Sequence, residues 1–192
     1  MQAFTNLPLR TDRLVLRALR EDDADALYAI FSDLKVMRYW STPAWTNREP
    51  GVAMIARDLA QVTNDHLRLG IELIQEKSLI GTCTLFGINY TCRRAEVGYG
   101  LGSNAWQNGY MHEALTALLD YGFRDLNLNR IEADIDPRNV SSAKTLERLG
   151  FTKEGHLRER WIVGDEISDT CYYGLLQREW NSLRQPLVDQ DV

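Results

Sequence analysis

The order strand, helix, strand between Ala95 and Asp136 restricts this chain's fold more than any other feature. Ala95–Leu101 is apolar-rich and reads as a strand. Helical spacing follows at Met111, Ala114, Leu115, Leu118, Leu119 and Gly122, in steps of three and one. Arg130–Asp136 then alternates strictly, with Ile131, Ala133 and Ile135 on one face. Two strands joined through a crossover helix lie parallel when they share a sheet. The middle of the chain therefore predicts a partly parallel sheet with a helix packed on it.

The flanking segments supply more strands and a second helical region. Arg13–Leu19 reads as an opening strand. Asp22 or Asp23 is placed to cap a helix through Phe31, with Ala26, Leu27, Ile30 and Phe31 on one face. Asp33–Trp40 reads as a short second helix, and Val52–Val62 as a third through Met54, Ile55, Leu59 and Val62. Pro43 and Pro50 make Ser41–Gly51 a loop. Leu67–Ile74 and Ser78–Ile88 form a hairpin about Gln75-Glu76-Lys77. Ser141–Leu149 is helical and stops at Gly150, where a left-handed cap costs glycine little. Phe151–Val163 and Glu166–Leu176 are strand-like and meet at Gly164-Asp165. No internal repeat divides the 192 residues, so residues 1–192 read as one mixed α/β domain.

Composition narrows the function classes. A net charge of -5 argues against direct nucleic-acid binding, which takes clustered Lys and Arg. It is compatible with an amine-bearing partner. The three cysteines, Cys83, Cys92 and Cys171, match no metal spacing and form a poor disulfide framework. Each reads as a buried free thiol, as in a reducing cytosol. The opening residues have no signal-peptide core, and no apolar run approaches a membrane span. The expectation is a soluble cytoplasmic protein, a monomer or homodimer.

The most informative stretch is Glu96–Ala114, EVGYGLGSNAWQNGYMHEA. A strand ends near Leu101, a loop follows, and Gly109 stands where the helix begins. Glycine there allows close backbone approach to a ligand. The first helical amides lack internal partners and lie at the positive end of the helix dipole. Such a turn suits a pyrophosphate, although a glycine at a helix start also serves a plain turn. The P-loop and dinucleotide-binding glycine patterns are both absent.

Four segments together resemble the GNAT superfamily of N-acetyltransferases, and within it the RimJ/RimL-like branch that acetylates ribosomal-protein N-termini. Leu9-Arg10-Thr11-Asp12-Arg13-Leu14 is similar to that branch's opening. Glu96-Val97-Gly98-Tyr99 resembles its "aEiGY" strand. Trp106 to Ala114 resembles its "WGkGymtEA" phosphate loop. Asn139, Ser142, Leu146, Gly150 and Phe151, continued by Glu154-Gly155, resemble its "N..S.rvLeklGF" element. The likeness spans about residues 8–176. Two departures stand in the loop, where Gln107 and Asn108 replace a glycine and a basic residue. A cradle built mostly of backbone amides is then expected.

The resemblance implies a mixed, largely antiparallel sheet whose parallel strands splay around acetyl-CoA. It implies a cofactor site at Leu101, Trp106, Gln107, Asn108, Gly109, Tyr110, Met111, Asn139 and Ser142, with no metal. It also implies direct attack of a primary amine on the thioester in a ternary complex. The acceptor is a protein N-terminus or a small amine such as a polyamine or aminoglycoside. A regulatory module that binds acyl-CoA without turnover is a further alternative.

This chemistry needs a base, an oxyanion donor and an acid for the thiolate. A backbone amide on the strand ending at Leu101 is the implied oxyanion donor. Gly98, Gly100 and Gly102 alternate there, as they do where another group approaches a strand closely. The tyrosine many members use as acid is replaced by Leu146. Ser142 fits the branch's serine, though Ser141 or Ser142 also suits a helix cap. Glu96, acting through ordered water, is the expected base, with Asp134 and Glu159 as other candidates. Trp161 occupies the place of the branch's glutamate base. Tyr39, Trp40 and Trp45 are placed to wall the acceptor pocket or to pack a core or lid. His112 is expected to face solvent, and His66 and His156 show no partner spacing.

Overall fold

Eight strands form a single sheet in the computed structural model, which describes residues 4–60 and 64–184. The strands are β1 Leu9–Arg10, β2 Leu14–Arg17, β3 His66–Leu73, β4 Leu79–Asn89, β5 Arg94–Leu101, β6 Arg130–Ile135, β7 Thr152–Val163 and β8 Glu166–Leu176. Their spatial order is β1-β2-β3-β4-β5-β6-β8-β7. Every neighbouring pair is antiparallel except β5 and β6. That parallel pair is the one expected from the crossover.

Six α-helices cover the sheet: α1 Ala24–Phe31, α2 Leu34–Met37, α3 Glu49–Ala60, α4 Tyr110–Arg124, α5 Val140–Arg148 and α6 Gln177–Arg184. Helices α4 and α5 lie over one face, where Leu69, Leu85, Val97 and Ile131 form a core with Leu115, Leu118 and Leu146. Helices α1 to α3 cover the other face around a second cluster of Leu27, Ile30, Phe31 and Ile55. Burial of such aliphatic side chains supplies about 1.5–3 kcal/mol each, before the opposing chain entropy.

The parallel pair splays. Arg94 pairs with Arg130, Ala95 with Ile131 and Glu96 with Glu132. Beyond Glu96, β5 stays with β4 as far as Leu101, whereas β6 stays with β8 as far as Ile135. Successive peptide groups along a strand point to opposite edges. Alternate amides of β5 after Glu96 therefore face the gap rather than a neighbouring strand.

Several elements depart from expectation for identifiable reasons. Helix α3 begins at Glu49, inside the segment expected as loop. Pro50 sits in its first turn, where a missing N–H breaks no helical bond, and Asn47 Oδ1 accepts the Glu49 amide at 2.9 Å. Gln61 and Val62, expected at that helix's end, lie outside the described residues. The second helix shortens to Leu34–Met37. Asp23 does not cap α1 with its side chain; a single 3-10 turn at Glu21–Asp23 precedes the helix, and the carboxylate turns to Arg17 and the Arg20 amide. Cys83 and Cys171 are buried as expected, but Cys92 is exposed, because it falls in the turn between β4 and β5 rather than in a strand. Among the described residues no helix is long and apolar enough to cross a membrane, and no cluster of metal-ligating side chains occurs.

Candidate active site

The turn from β5 into α4 places free amides at a helix start. Gln107 and Gly109 both adopt left-handed backbone, with φ of 65° and 77°. Glycine accommodates this at position 109 without Cβ strain, and a Cβ there would come within 3.6 Å of Arg13 Nη2. The first helix-type bond runs from the Glu113 amide to the Gly109 carbonyl at 3.1 Å. The amides of Gln107 through His112 have no acceptor among the described residues. They share the positive end of a 15-residue helix dipole. This donor set fits a pyrophosphate without help from Gln107 or Asn108 side chains. Asn108 instead bonds back to the Ala105 and Trp106 carbonyls, at 3.3 and 3.0 Å. Trp106 is also used structurally: its indole N–H donates to the Leu101 carbonyl at 3.0 Å.

A cation does stand at this turn, and it comes from elsewhere in the chain. Arg13 Nη1 donates to the Asn108 carbonyl at 3.0 Å, and its guanidinium lies 4.6 Å over the Tyr110 ring. Glu113, on the first turn of α4, holds Arg13 at 2.6 Å and accepts Thr11 Oγ1 at 2.6 Å. Burial raises the Glu113 carboxyl, but Thr11 and Arg13 more than offset that and hold it below the ordinary range. The Thr11–Arg13 opening thus clamps the start of α4. Its sequence was visible as a motif, but nothing in linear spacing connects Arg13 to Glu113.

Across the splay, Asn139 caps α5 by accepting the Ser142 amide at 3.1 Å. Ser142 is therefore not the cap. It is buried, and its hydroxyl lies 2.7 Å from the Tyr99 hydroxyl of β5. Burial pushes the Tyr99 phenol up to about 12, with the Ser142 hydrogen bond pulling the other way. Tyr99 consequently stays protonated at neutral pH and can donate to Ser142 Oγ, freeing the serine proton for another acceptor. Tyr110 and Met111 are partly buried and pack against the α4-side core.

The opposite face of β5 carries Glu96, Gly98 and Gly100. A Cβ on Gly100 would come 2.8 Å from the Trp40 ring, so the glycine spacing admits an aromatic wall rather than plain flexibility. Glu96 is partly exposed and has no hydrogen-bond or ion-pair partner among the described residues. Burial raises its carboxyl above the ordinary range; the Glu132 and Asp134 carboxylates add to that, against Arg94 and Arg160. Those neighbours are themselves engaged. Glu132 binds Arg94 at 3.1 Å and Arg130 at 2.7 Å. Asp134 accepts the Thr170 hydroxyl and, at 3.4 Å, the Trp161 indole. Glu159 sits at a left-handed position, φ 53°, beside a bulge of the sheet-edge strand β7. That strand is three positions from β5, roughly 14 Å at ordinary strand spacing.

A cavity of about 330 Å³ opens on this same face. Its lining includes Gly98 and the aromatic rings of Phe31, Trp40 and Trp45. Trp40 and Trp45 thus face both their own core and the cavity, while Tyr39 is exposed near Arg38 and Arg138. His112 is exposed as expected. His156, by contrast, has a partner: its Nε2 lies 2.7 Å from Asp169.

A parallel pair opened at its carboxyl ends, with an amide-rich turn beside it and an amine-sized cavity behind it, defines a coenzyme A-dependent acyltransferase of the N-acetyltransferase class. Residues 13–152 match the family model for the acetyltransferase (GNAT) domain, and the chain belongs to that family. It is an acetyl-CoA-dependent N-acetyltransferase. The chain is 39% identical over 178 residues to the uncharacterized N-acetyltransferase p20 of Bacillus licheniformis, covering 90% of this chain and 97% of that one. It is 27% identical over 186 residues to the [ribosomal protein uS5]-alanine N-acetyltransferase of Escherichia coli, covering 92% and 95% of the two chains. The structure of spermidine N-acetyltransferase from Vibrio cholerae in complex with CoA and spermine superposes with a TM-score of 0.79 at 26% identity, covering 89% and 99%.

Proposed function

We propose that this enzyme acetylates the N-terminal α-amine of a protein by direct attack in a ternary complex, in the manner of the RimJ/RimL-like branch. The observation that carries the reading is the division of labour across β5. A free carboxylate with a raised pKa, Glu96, lies on the cavity face, and the Ser142–Tyr99 hydroxyl pair lies on the other.

Acetyl-CoA supplies a thioester carbonyl open to attack by an amine. The amides of Gln107 through His112 hold the pyrophosphate, with Arg13 adjacent and Leu101, Trp106, Tyr110, Met111 and Asn139 shaping the groove. Glu96, through ordered water, accepts a proton from the incoming ammonium, and its raised pKa brings it nearer the operating pH of a base. Unpaired β5 amides facing the splay stabilise the developing oxyanion. As the C–S bond breaks, Ser142 passes a proton to the departing sulfur and regains one from the acylated nitrogen, while the Tyr99 hydroxyl donates to Ser142 Oγ throughout.

A polyamine acceptor is the second reading, favoured by the likeness to the spermidine enzyme. The cavity lining weighs against it, since none of its residues is an aspartate or glutamate. Incubation with labelled acetyl-CoA and cell lysate, followed by mass spectrometry of N-terminal peptides and of small amines, tests the assignment. Label on protein N-termini is expected. Label confined to polyamines overturns it.

A further inference from the structure

The cavity beside Gly98 constrains what the acceptor carries next to its amine, granted the reading above that this is the acceptor side. Its floor is made of three rows that cross the sheet: His66–Phe86–Glu96, Arg68–Thr84–Gly98 and Gly70–Thr82–Gly100. Opposed residues of antiparallel strands share a face, so Glu96 stands at the cavity's edge beyond Phe86. The absent side chain at Gly98 makes room for the Phe86 ring, which a Cβ there would meet at 3.3 Å, so a further aromatic ring borders the cavity on the Glu96 side. Above the floor, Phe31 meets Trp40 edge-on at 5.3 Å and Trp45 at 4.9 Å. Met37 and Met54 complete an apolar wall.

The charges within are already spent. Arg68 binds both oxygens of Asp58, at 2.9 and 2.8 Å. His66 lies 3.8 Å from the same carboxylate, and burial together with Arg68 holds it below its ordinary range, uncharged at neutral pH. Thr82 and Thr84 line the cavity, and their hydroxyls, without a partner among the described residues, remain accessible from it. The interior is thus aromatic, weakly polar and neutral, with its one unpaired carboxylate, Glu96, at the edge where the amine must arrive. A second ammonium would lose its hydration there without a counter-charge, and ring faces offset only part of that loss.

We propose that the acceptor bears a bulky, uncharged apolar group beside the reacting nitrogen; on a protein N-terminus this is a large first side chain such as Met, Leu or Phe. Alanine or serine would leave most of the 330 Å³ unfilled. Filling an apolar pocket discriminates by roughly ten- to two-hundred-fold per well-placed group. The preference therefore separates this enzyme from the relative whose name specifies alanine.

The test uses peptides that differ only in a first residue of Ala, Ser, Met, Leu or Phe, together with ethylamine, phenethylamine and spermidine. The expected kcat/KM for Met, Leu and Phe peptides is at least about tenfold above Ala and Ser. Phenethylamine exceeds ethylamine and spermidine, and it alone of the three quenches tryptophan fluorescence at Trp40 and Trp45 without acetyl-CoA. Thr84→Leu, which fills the floor, lowers the Phe-to-Ala ratio toward one while acetyl-CoA affinity is unchanged. Met54→Ala, which trims the wall, does the same if Thr84→Leu fails to fold. Peptides left unacetylated while phenethylamine still exceeds ethylamine overturn the protein-N-terminus reading and leave this inference standing. Equal rates for Ala and Phe peptides, or spermidine as the best acceptor, overturn the inference.

Discussion

Glu96 is destabilised in its charged form by its own surroundings, which is what the proposed proton transfer calls for. Its carboxyl is raised by burial and by Glu132 and Asp134, so the folded state favours the protonated form. The favourable contribution is present below the ordinary carboxylate pKa and is lost as pH rises through the folded value. At neutral pH the ionised side chain therefore lowers stability. Glu96→Gln should raise the melting temperature at pH 7 by an amount equivalent to less than about 1 kcal/mol, since the group is partly exposed, and the gain should vanish near pH 4. The same change should flatten the alkaline-rising limb of kcat/KM. An unchanged pH profile would remove Glu96 as the base whatever happens to stability. Tyr99 makes a different prediction. Tyr99→Phe and Ser142→Ala should each lower kcat by roughly tenfold with acetyl-CoA affinity nearly intact, and the double variant should lose little more, as for residues acting as one unit. Additive losses would mean the pair is structural. Glu96 could be read from strand alternation alone, because its face also carries Gly98 and Gly100. Tyr99 could not, because its partner is 43 residues away and only the folded sheet brings α5 over β5.

At the scale of elements, the β5–α4 turn is held in shape by two devices, one local and one distant. Gly109 supplies the left-handed step. Any side chain there costs about 1–2 kcal/mol of backbone strain, and Gly109→Asp adds a negative charge where free amides converge. That variant should weaken acetyl-CoA binding sharply by calorimetry while its sheet signal in circular dichroism stays native. The distant device is the ion pair of Arg13 with Glu113. Because Arg13 is about half exposed, its removal should raise the acetyl-CoA Kd several-fold, in keeping with about 1 kcal/mol, and leave the acceptor KM alone. A rise in acceptor KM instead would place Arg13's effect outside the turn. The long elements were legible because their apolar periods are unbroken: β5, α4 and β6 appear within two residues or so of their expected limits. Short or polar elements were not. Strand β1 has two residues, too few for a period, and α6 buries only Trp180, whose indole binds Asp120 of α4 at 2.8 Å. Pro50 reads as a breaker because sequence alone does not reveal whether a proline falls in a helix interior or its first turn.

The whole molecule is a sheet with a separate core on each face, and the helices on the proposed acceptor face need their own attachment. The small cluster around Leu27 and Ile55 is separate from the larger core under α4. Ser103 fastens the start of α2 to the turn after β5 through Asp33, at 2.6 Å, and Arg38 reaches Glu166 of β8 at 3.0 Å. Both contacts are at or near the surface. The buried attachment is Arg17 of β2, which binds Asp23 at 2.7 Å and Glu72 of β3 at 2.6 Å. Asp23 also accepts the Arg20 amide and so fixes the turn into α1. Burial acts to raise the Asp23 carboxyl, but Arg17 and the Arg20 amide together lower it. Its contribution is therefore present above the ordinary carboxylate pKa and is lost as pH falls through the depressed folded value. Removing one partner of a buried charge network costs about 3–5 kcal/mol, since the other charge is left uncompensated. Asp23→Ala should lower the urea midpoint accordingly, and hydrogen exchange should show the amides of α1 opening before those of α4. Since the amide-rich turn lies on the far side of β5, acetyl-CoA affinity in the surviving folded fraction should stay near wild type while the acceptor KM rises. Equal losses on both substrates would mean that the two faces share one cooperative unit, and that the acceptor side cannot loosen without the cofactor side.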